Sequence, residues 1–274
     1  MGETPQTWHH GLMARWWAEF TEPEPAELDY YRDAIERFGE PALDLACGAG
    51  RLLVPLLESG LDVDGADASP DMLAQARRFA DARGLAPSLS AQPMHELDLP
   101  RRYGTIFICD SFGIGGDRRH ALAALRRVFE HLRPRGAVVF SHELPYSEGE
   151  EDWIRWLPGK RGDPQPWPEK GDRRRTSDGD ELELLFRERW FDPLLQQGIF
   201  EVRARLWRDG EQVEQEEHAI LLPAFFAHEI LLMLDTVGFT DVVIQGRYTG
   251  RPATADDTTV VFLARRPADH GRRP

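Results

Sequence analysis

The chain has 274 residues, with 33 lysines and arginines against 47 aspartates and glutamates, and its formal net charge is −14. This length allows one α/β domain with a substantial insertion, or two small domains that share a cleft. The negative charge repels polyphosphates on average. It therefore disfavours nucleic acid as the partner and favours a small molecule.

The cysteines and the apolar runs restrict the class further. Cys47 lies in a glycine-rich turn and Cys109 in a predicted strand, so neither indicates a disulfide or a metal cluster. The histidines and carboxylates lack the spacing of a zinc site, and no metal is expected. Residues 1–10 do not have the profile of a signal peptide, and no apolar run approaches membrane-spanning length. We therefore expect a cytoplasmic protein that does not interact with a membrane.

Residues 1–40 are predicted to form a helical arm. An aromatic-rich helix at residues 9–20 is separated from a second helix at residues 26–38 by Pro23 and Pro25, because proline interrupts helical hydrogen bonding.

Residues 41–73 read as strand, glycine turn, helix, strand and acidic turn, which is the opening of a nucleotide-binding α/β sheet. The first strand, at residues 41–46, is followed by a turn in which Gly48 and Gly50 let the backbone turn sharply and approach a ligand closely. The second strand ends at Asp67, and a carboxylate at that position suits a bidentate hydrogen bond to the two hydroxyls of a ribose.

The spacing of the glycines separates two cofactor classes. A dinucleotide fingerprint requires a third glycine at a position where this chain has Leu53. Instead, Asp44 precedes Gly48 by four positions, and the run together with the following GADAS segment resembles motif I and the acidic second motif of the class I S-adenosylmethionine-dependent methyltransferases. The resemblance implies an α/β, Rossmann-like fold: a seven-stranded, mostly parallel sheet with an antiparallel last strand. A helical N-terminal arm and an antiparallel β insertion after the fifth strand would complete it.

The family resemblance also implies roles for individual residues. In that family the glycine turn passes beneath the amino-acid part of the cofactor, the acidic residue holds the ribose and a following hydrophobic residue packs on the adenine. Asp67 and Met72 would take the last two roles, and Gln92 would contact the adenine edge in a third motif that has Pro93 where an acidic residue is frequent. In the alternative interpretation, Asp67 only caps the next helix of an ordinary strand-turn-helix. The expected cofactor residues are Asp44, Ala46, Gly48, Gly50, Asp67, Ala68, Met72, Gln92, Met94 and Asp110.

Hydrophobic periodicity predicts the remaining core elements. Further helices are predicted at residues 51–59, 70–83, 118–133 and 224–237. Further core strands are predicted at residues 61–66, 88–92, 105–109, 137–141, 242–248 and 258–264.

A polar insertion interrupts this pattern. Residues 147–180 read as a long loop with a short helix near Trp153, and about three antiparallel strands follow at residues 181–191, 199–208 and 213–222. We expect the insertion to roof the acceptor, although a purely structural or dimer-forming sheet is the alternative. The predicted parts are the arm at 1–40, the core at 41–144, the insertion at 145–222, the core return at 223–266 and a tail at 267–274.

The end of the fifth strand is the second place where chemistry is expected. His142 is the candidate general base, because an imidazole titrates near neutral pH, and Glu143 would orient it or bind substrate. A structural histidine is the alternative. Asp110 faces either the methionine end of the cofactor or the acceptor, or else forms a turn.

Aromatic residues are the candidates for closing the site against water or for packing the arm. Those expected to contact the acceptor are Trp16, Tyr146 and Trp153. Four aromatic residues of the arm are expected either to close the site against water or to pack the arm onto the domain: Trp16, Trp17, Tyr30 and Tyr31.

The resemblance implies an S-adenosylmethionine-dependent methyltransferase that acts on an oxygen or nitrogen atom of a small molecule and releases S-adenosylhomocysteine. We expect a monomer or a homodimer. Two other functions use the same fold: a non-methylating reaction such as cyclisation, and a regulatory protein that only binds the cofactor. RNA methylation is a weaker alternative because of the negative charge.

Overall fold

The structure is a computed structural model that describes residues 9–114, 116–147, 153–160 and 164–268. Residues 1–8, where a signal peptide was considered, and residues 269–274 of the predicted tail lie outside these ranges. The helices are α1 Gly11–Phe20, α2 Pro25–Phe38, α3 Leu53–Glu58, α4 Pro70–Asp81, α5 Arg118–His131 and α6 Ala227–Val237. Within the described ranges, no helix is both long and apolar enough to cross a lipid bilayer.

In the described residues, eleven strands form two sheets. Those of the first sheet are β1 Ala42–Leu45, β2 Val63–Asp67, β3 Leu89–Ala91, β4 Tyr103–Ile108, β5 Leu132–Glu143, β10 Thr240–Gly246 and β11 Thr259–Arg265. Those of the second sheet are β6 Asp172–Arg175, β7 Glu181–Asp192, β8 Gln197–Arg208 and β9 Glu211–Pro223.

The first sheet has the strand order β10-β11-β5-β4-β1-β2-β3. Neighbours from β5 to β3 pair in parallel, whereas β11 pairs antiparallel with both β5 and β10. The predicted seven-stranded, mostly parallel sheet with its last strand antiparallel is therefore confirmed.

Helices cover both faces of this sheet, which explains why its central strands are buried throughout. Every residue of β1 and β4 is buried. One face packs against α5 and α6, and the other packs against α2 and α3. The predicted start of α4 is also as observed, because Ser69 Oγ accepts a hydrogen bond from the Met72 amide and Pro70 occupies the first turn.

The second sheet is antiparallel and packs against α1. Leu12, Met13 and Trp16 of that helix share a buried cluster with Leu184 and Val202 of the sheet. The insertion therefore has a small core of its own, built jointly by the N-terminal arm and the strands of residues 181–208.

The described part of the insertion contains four strands rather than the predicted three or so, because β6 lies within the segment predicted to be a loop. All four side chains of β6 are exposed, so the segment has no apolar alternation that would indicate a strand. Its arginines pack on aromatic rings instead: the Arg173 guanidinium carbon lies 4.1 Å from the Trp207 ring centre and that of Arg174 lies 5.0 Å from the Trp16 ring.

Truncating a core side chain of α5 tests the packing of the first sheet. Leu125→Ala should lower the free energy of unfolding by about 2–5 kcal/mol, because this side chain is fully buried and its loss leaves a cavity. Leu232→Ala makes the same change on α6 at a residue that is 66% exposed, and it should cost less than about 0.5 kcal/mol. Urea unfolding followed by circular dichroism measures both, and equal losses would contradict the packing.

Candidate functional site

A cavity of about 570 Å³ lies at the carboxyl ends of the parallel strands. Its lining includes the segments that follow β1, β2, β3 and β4, together with residues of α1 and the chain after it. Strand order reverses beside β1, which has β4 on one side and β2 on the other. A ligand crevice is expected at such a switch point, because the connections leave the strands in opposite directions there.

The turn after β1 brings backbone close to the floor of the cavity. Gly48 has a φ of +54°, and a Cβ at this position would lie 3.0 Å from the Met72 methyl carbon. A side chain would therefore crowd Met72 as well as strain the backbone. The Gly48 N–H donates a 2.9 Å hydrogen bond to Asp67 Oδ2, which ties the turn to the end of β2.

Asp67 both braces this turn and lines the cavity. Its second carboxylate oxygen accepts a 2.7 Å hydrogen bond from the Ser69 N–H at the start of α4. Burial raises the pKa of Asp67, and the hydrogen bonds from the Ser69 and Gly48 amides oppose this effect. Each oxygen of a carboxylate has two lone pairs, so Asp67 can brace the loops and still accept hydrogen bonds from a ligand diol.

Asp44 is a buried carboxylate in the cavity wall and is only 2% exposed. Burial raises its pKa to about 8; the positive charge of Arg51 lowers it, and the negative charges of Asp67 and Glu27 add to the increase. Among the described residues none forms an ion pair with Asp44. A ligand cation at this position would supply the missing charge.

A hydrogen-bonded network connects α2 to the ends of β1 and β4. Glu27, which is 2% exposed, forms an ion pair with Arg51 and accepts a 2.7 Å hydrogen bond from the Cys109 thiol. The Tyr248 hydroxyl lies 3.3 Å from Glu27 and 3.4 Å from Asp110. Burial by itself raises the pKa of Glu27, but the hydrogen bonds from Arg51 and Cys109 outweigh it and the pKa lies below its usual value.

Three members of this network have the ligand chemistry of a metal site. One donor atom each of Glu27, Cys109 and Asp110 lies within 4.8 Å of the others. The Glu27 carboxylate, however, is already neutralised by Arg51, so its contacts are satisfied without an ion.

Helix α1 closes one side of the cavity through Trp17 and Phe20. Its first turn is held from both sides, because the Gly11 N–H donates to Asp71 at 2.8 Å and the Leu12 N–H donates to Glu216 at 2.8 Å. Asp71 lies on α4 and Glu216 on β9, so the helix bridges the two sheets.

Nine of the ten expected cofactor residues line the cavity: Asp44, Ala46, Gly48, Asp67, Ala68, Met72, Gln92, Met94 and Asp110. Gly50 is the exception. A Cβ there would lie 3.1 Å from the Val54 side chain and 3.4 Å from Ala76, so this glycine allows the turn to pack against the helices. The Gln92 side chain forms hydrogen bonds within its own loop, to the Ser90 hydroxyl and to the Asp98 backbone N–H.

The expected catalytic residues do not reach the cavity. His142 is 8% exposed, and its Nε2 lies 2.9 Å from the Phe225 carbonyl oxygen. Burial lowers the pKa of His142. Successive residues of a strand face opposite sides of the sheet, so the side chain that approaches the site is Ser141, whose Oγ accepts a 2.8 Å hydrogen bond from the Asp110 N–H. Glu143 is exposed and does not line the cavity.

The three aromatic residues expected to bind the acceptor also lie elsewhere. Trp16 is 5% exposed and packs on the second sheet, on the side of α1 away from the cavity. Tyr146 and Trp153 stack on each other, with ring centres 6.1 Å apart and an angle of 5° between the rings. Of the four arm aromatics, Trp17 lines the cavity.

Sequence reasoning missed several cavity residues that come from distant segments. Arg51 and His95 directly follow residues of the predicted motifs, so their positions in the sequence could have indicated that they line the cavity. Glu27 and His120 lie on other helices, where nothing local marks them. The His95 and His120 rings stack 3.9 Å apart, and His120 Nδ1 is buried without a hydrogen-bond partner in the described part of the chain.

Residues 42–136 match a family model described as a methyltransferase domain. This segment is a methyltransferase domain. It contains the glycine turn, the cavity residues Asp44 and Asp67, and strands β1 to β4. The comparison thus supports the motif assignment that the cavity geometry had already indicated.

Relatives of known type share this methyltransferase domain. The ubiquinone biosynthesis O-methyltransferase of Bradyrhizobium diazoefficiens is 29% identical over 175 residues, which cover 54% of this chain and 67% of the relative. In three curated relatives, the part that matches this chain spans 52%, 67% and 53% of the relative's own length.

Solved structures extend the likeness beyond the methyltransferase domain. An S-adenosylmethionine-dependent methyltransferase from Clostridium acetobutylicum has a TM-score of 0.66 at 18% identity, covering 89% of this chain and 92% of its own. The sugar N-methyltransferase KedS8 from Streptoalloteichus sp. has a TM-score of 0.63 at 21% identity, covering 89% and 87%. The fold is therefore that of this enzyme class.

Removing the charge of Glu27 tests the network beneath the site. Glu27→Gln should lower the free energy of unfolding at neutral pH by about 3 kcal/mol, because Arg51 would keep a partly buried charge without its partner. Asp29→Asn is a matched control on α2, where an exposed ion pair with Arg32 is lost, and it should cost less than about 0.5 kcal/mol.

The pH dependence supplies a second readout for the same variant. The lowered pKa of Glu27 contributes stability above the unfolded pKa, and this contribution is lost as the pH falls through the folded value. Urea unfolding should therefore show a difference between wild type and Glu27→Gln that narrows as the pH falls below about 4. A constant difference would contradict the ion pair as the cause.

Proposed function

We propose that the protein binds S-adenosylmethionine in the cavity and transfers its methyl group to an oxygen or nitrogen atom of a small molecule, releasing S-adenosylhomocysteine. One observation carries this proposal. The glycine turn, the Asp67 carboxylate and the buried carboxylate Asp44 converge on one cavity, and all three lie in the segment that matches a methyltransferase domain.

The residues of the cavity fit this cofactor group by group. Asp67 suits the ribose diol, and Asp44 is a buried carboxyl group that, once ionised, suits the ammonium of the amino-acid part. Met72 and Met94 present apolar surface to a base, and His120 Nδ1 is a buried polar atom that still lacks a partner. When bound, the cofactor supplies a methyl group that is already activated by a sulfonium.

The work left to the protein is to position the acceptor and exclude water. Methyl transfer is an in-line displacement, so alignment of the attacking atom supplies much of the rate. Trp17 and Phe20 shield the cavity from one side, and Asp110 lies at the end of β4 on its floor. His142 faces away and is not part of this proposal for catalysis.

The parts of the chain outside the cavity have proposed roles as well. The insertion at residues 145–222 would roof the acceptor over the core at 41–144 and 223–266, with the arm at 1–40 as a lid. The net charge of −14 supports a small-molecule acceptor and no nucleic acid. We propose that the protein acts in the cytoplasm as a monomer or a homodimer.

Methyl transfer is tested directly with methyl-labelled S-adenosylmethionine and a small-metabolite extract, followed by mass spectrometry. Labelled product that appears in step with S-adenosylhomocysteine supports the proposal. Product without S-adenosylhomocysteine would favour a non-methylating reaction, and retention without any turnover would favour a regulatory binding protein.

Asp67→Ala tests the cofactor site. The dissociation constant for S-adenosylhomocysteine should rise at least about 30-fold in calorimetric titration, because a buried diol contact is lost along with the brace of the turn. Asp81→Ala removes an exposed carboxylate at the end of α4 and should leave affinity within about twofold. Unchanged affinity in Asp67→Ala would refute the assignment.

Asp44 should couple cofactor binding to proton release. Its pKa of about 8 leaves it mostly protonated near pH 7 in the free protein, and an ammonium ligand requires the ionised form. Calorimetry in buffers of different ionisation enthalpy should detect release of nearly one proton at about pH 7 and almost none above about pH 9.

Asp44→Asn is the control for this measurement. The variant should release no proton at either pH. It should also stabilise the free protein more at about pH 9 than at about pH 4, because a raised carboxyl pKa costs stability as the pH rises through it. Proton release that persists in the variant would assign the titration to another group.

A further inference from the structure

The charge on the cavity wall is strongly one-sided. Among the described residues, its lining contains seven carboxylates and two guanidinium groups. Arg51 neutralises Glu27, Arg247 neutralises Glu24 at 2.8 Å, and Asp117 pairs with Arg119 outside the lining at 2.7 Å. Four carboxylates are left without an ion pair.

The proposed function accounts for two of the four, because Asp44 and Asp67 hold the ammonium and the ribose of the cofactor. The other two are Asp110 at the end of β4 and Glu22 in the segment after α1. In the described parts of the chain neither of them has an ion-pair partner within 4 Å, although the charge of Arg247 on the same wall is close enough to interact with Asp110. The site therefore carries more negative charge than its cofactor requires.

Two hydrogen bonds hold Asp110, one through its backbone and one through its carboxylate. Its backbone N–H donates to Ser141 Oγ at 2.8 Å, and its carboxylate accepts a 3.4 Å hydrogen bond from the Tyr248 hydroxyl. Its backbone has a φ of +48°, a conformation that aspartate and asparagine adopt more readily than most residues. The side chain is nevertheless exposed toward the cavity that it lines.

The aromatic side of the cavity favours the same kind of ligand. Trp17 and Phe20 line it together with Glu22, which follows them in the chain. The faces of aromatic rings attract cations, and the attraction grows when water is excluded. Two carboxylates without an ion pair and two aromatic rings thus line the same cavity.

We propose that the acceptor is an amine that enters this cavity as its cation, with Asp110 as the residue that binds the ammonium. This inference rests on the proposed function and names the substrate class of the same site. Anionic acceptors such as carboxylates would be repelled, and a neutral alcohol would gain little from the unpaired carboxylates. The negative wall also offsets the repulsion between an ammonium and the sulfonium beside which it must bind.

Asp110 then has a defined chemical task. The bound ammonium gives one proton to the Asp110 carboxylate, which leaves a neutral amine with a free electron pair. The nitrogen attacks the methyl carbon, so that a carbon–nitrogen bond forms as the carbon–sulfur bond breaks and its electron pair stays on sulfur. The products are an N-methylammonium ion and the thioether, and Asp110 returns its proton to water.

Matched pairs of compounds test the class of acceptor: cyclohexylamine with cyclohexanol, benzylamine with benzyl alcohol, and glucosamine with glucose. Calorimetry with the protein saturated by S-adenosylhomocysteine measures binding, and mass spectrometry with labelled S-adenosylmethionine locates any methyl group. At least one amine should bind at least about tenfold more tightly than its alcohol and be methylated on nitrogen.

Asp110→Asn tests the residue. The variant keeps the shape and the unusual backbone, and it should lower kcat/KM for that amine by about 100-fold while the affinity for S-adenosylhomocysteine changes less than about threefold. Asp209→Asn is the matched control, since Asp209 has a φ of +51° in the exposed turn between β8 and β9; full activity is expected. Glu22→Gln should weaken amine binding by a smaller factor of about three, because this side chain is exposed.

The contrary outcomes separate the two proposals. Methylation of alcohols but not of amines would overturn the amine inference and leave methyl transfer intact. Equal loss of cofactor affinity and turnover in Asp110→Asn would make Asp110 a cofactor residue and also overturn the inference. Cofactor binding with no methylated product from either set or from the metabolite extract would overturn methyl transfer, and the amine inference with it.

Discussion

The Asp67 carboxylate is the contact on which the site depends. One oxygen accepts the Gly48 amide at the turn after β1, and the other accepts the Ser69 amide at the start of α4. A single side chain at the end of β2 therefore holds two loops in register. The hydrogen bonds from these two amides leave lone pairs free on the carboxylate oxygens. The same carboxylate can therefore brace the turn and accept hydrogen bonds from a ligand. The capping and ligand-binding interpretations of this aspartate are thus compatible.

Helix α1 joins the two halves of the molecule through opposite sides of one helix. Trp16 is buried against the second sheet, whereas Trp17, the next residue, lines the cavity of the first. Carboxylates from α4 and β9 hold its first turn. Helix α1 therefore contributes side chains both to the core of the insertion and to the cavity wall.

The balance of charge distinguishes structural from functional carboxylates in this site. Glu27 is the most enclosed of the ion-paired acids, and its pKa is lowered by Arg51 and Cys109 in spite of burial. Asp44 is equally enclosed but lacks an ion pair, and its pKa is raised to about 8. The charge of Glu27 is neutralised by Arg51 within the folded protein, and this ion pair stabilises the fold. Asp44 costs free energy when it is ionised in the free protein, because its buried charge has no ion-pair partner among the described residues.

Local sequence patterns were sufficient to predict the first sheet and most of the residues expected to bind the cofactor. The family resemblance carried by the glycine turn, Asp44 and Asp67 implied the seven-stranded sheet, and the cavity is lined by nine of the ten residues expected from these and the two following motifs. These features are local because the turn, the strand ends and their acids lie within one short stretch of chain. Gly50 differs because its neighbours Val54 and Ala76 come from helices whose packing the turn itself cannot reveal.

The acceptor half was decided only by tertiary structure. His142 and Ser141 are adjacent in the chain, yet the pleat of β5 turns the histidine toward Phe225 and the serine toward Asp110. Strand β6 pairs with β7 although its sequence has no apolar alternation, and Glu27 reaches Arg51 from a helix 24 residues earlier. By itself the sequence determined the fold class and the cofactor motif, because both depend on local spacing. Which side chains face the acceptor depends on register and on contacts between distant segments, and only the folded chain brings these together.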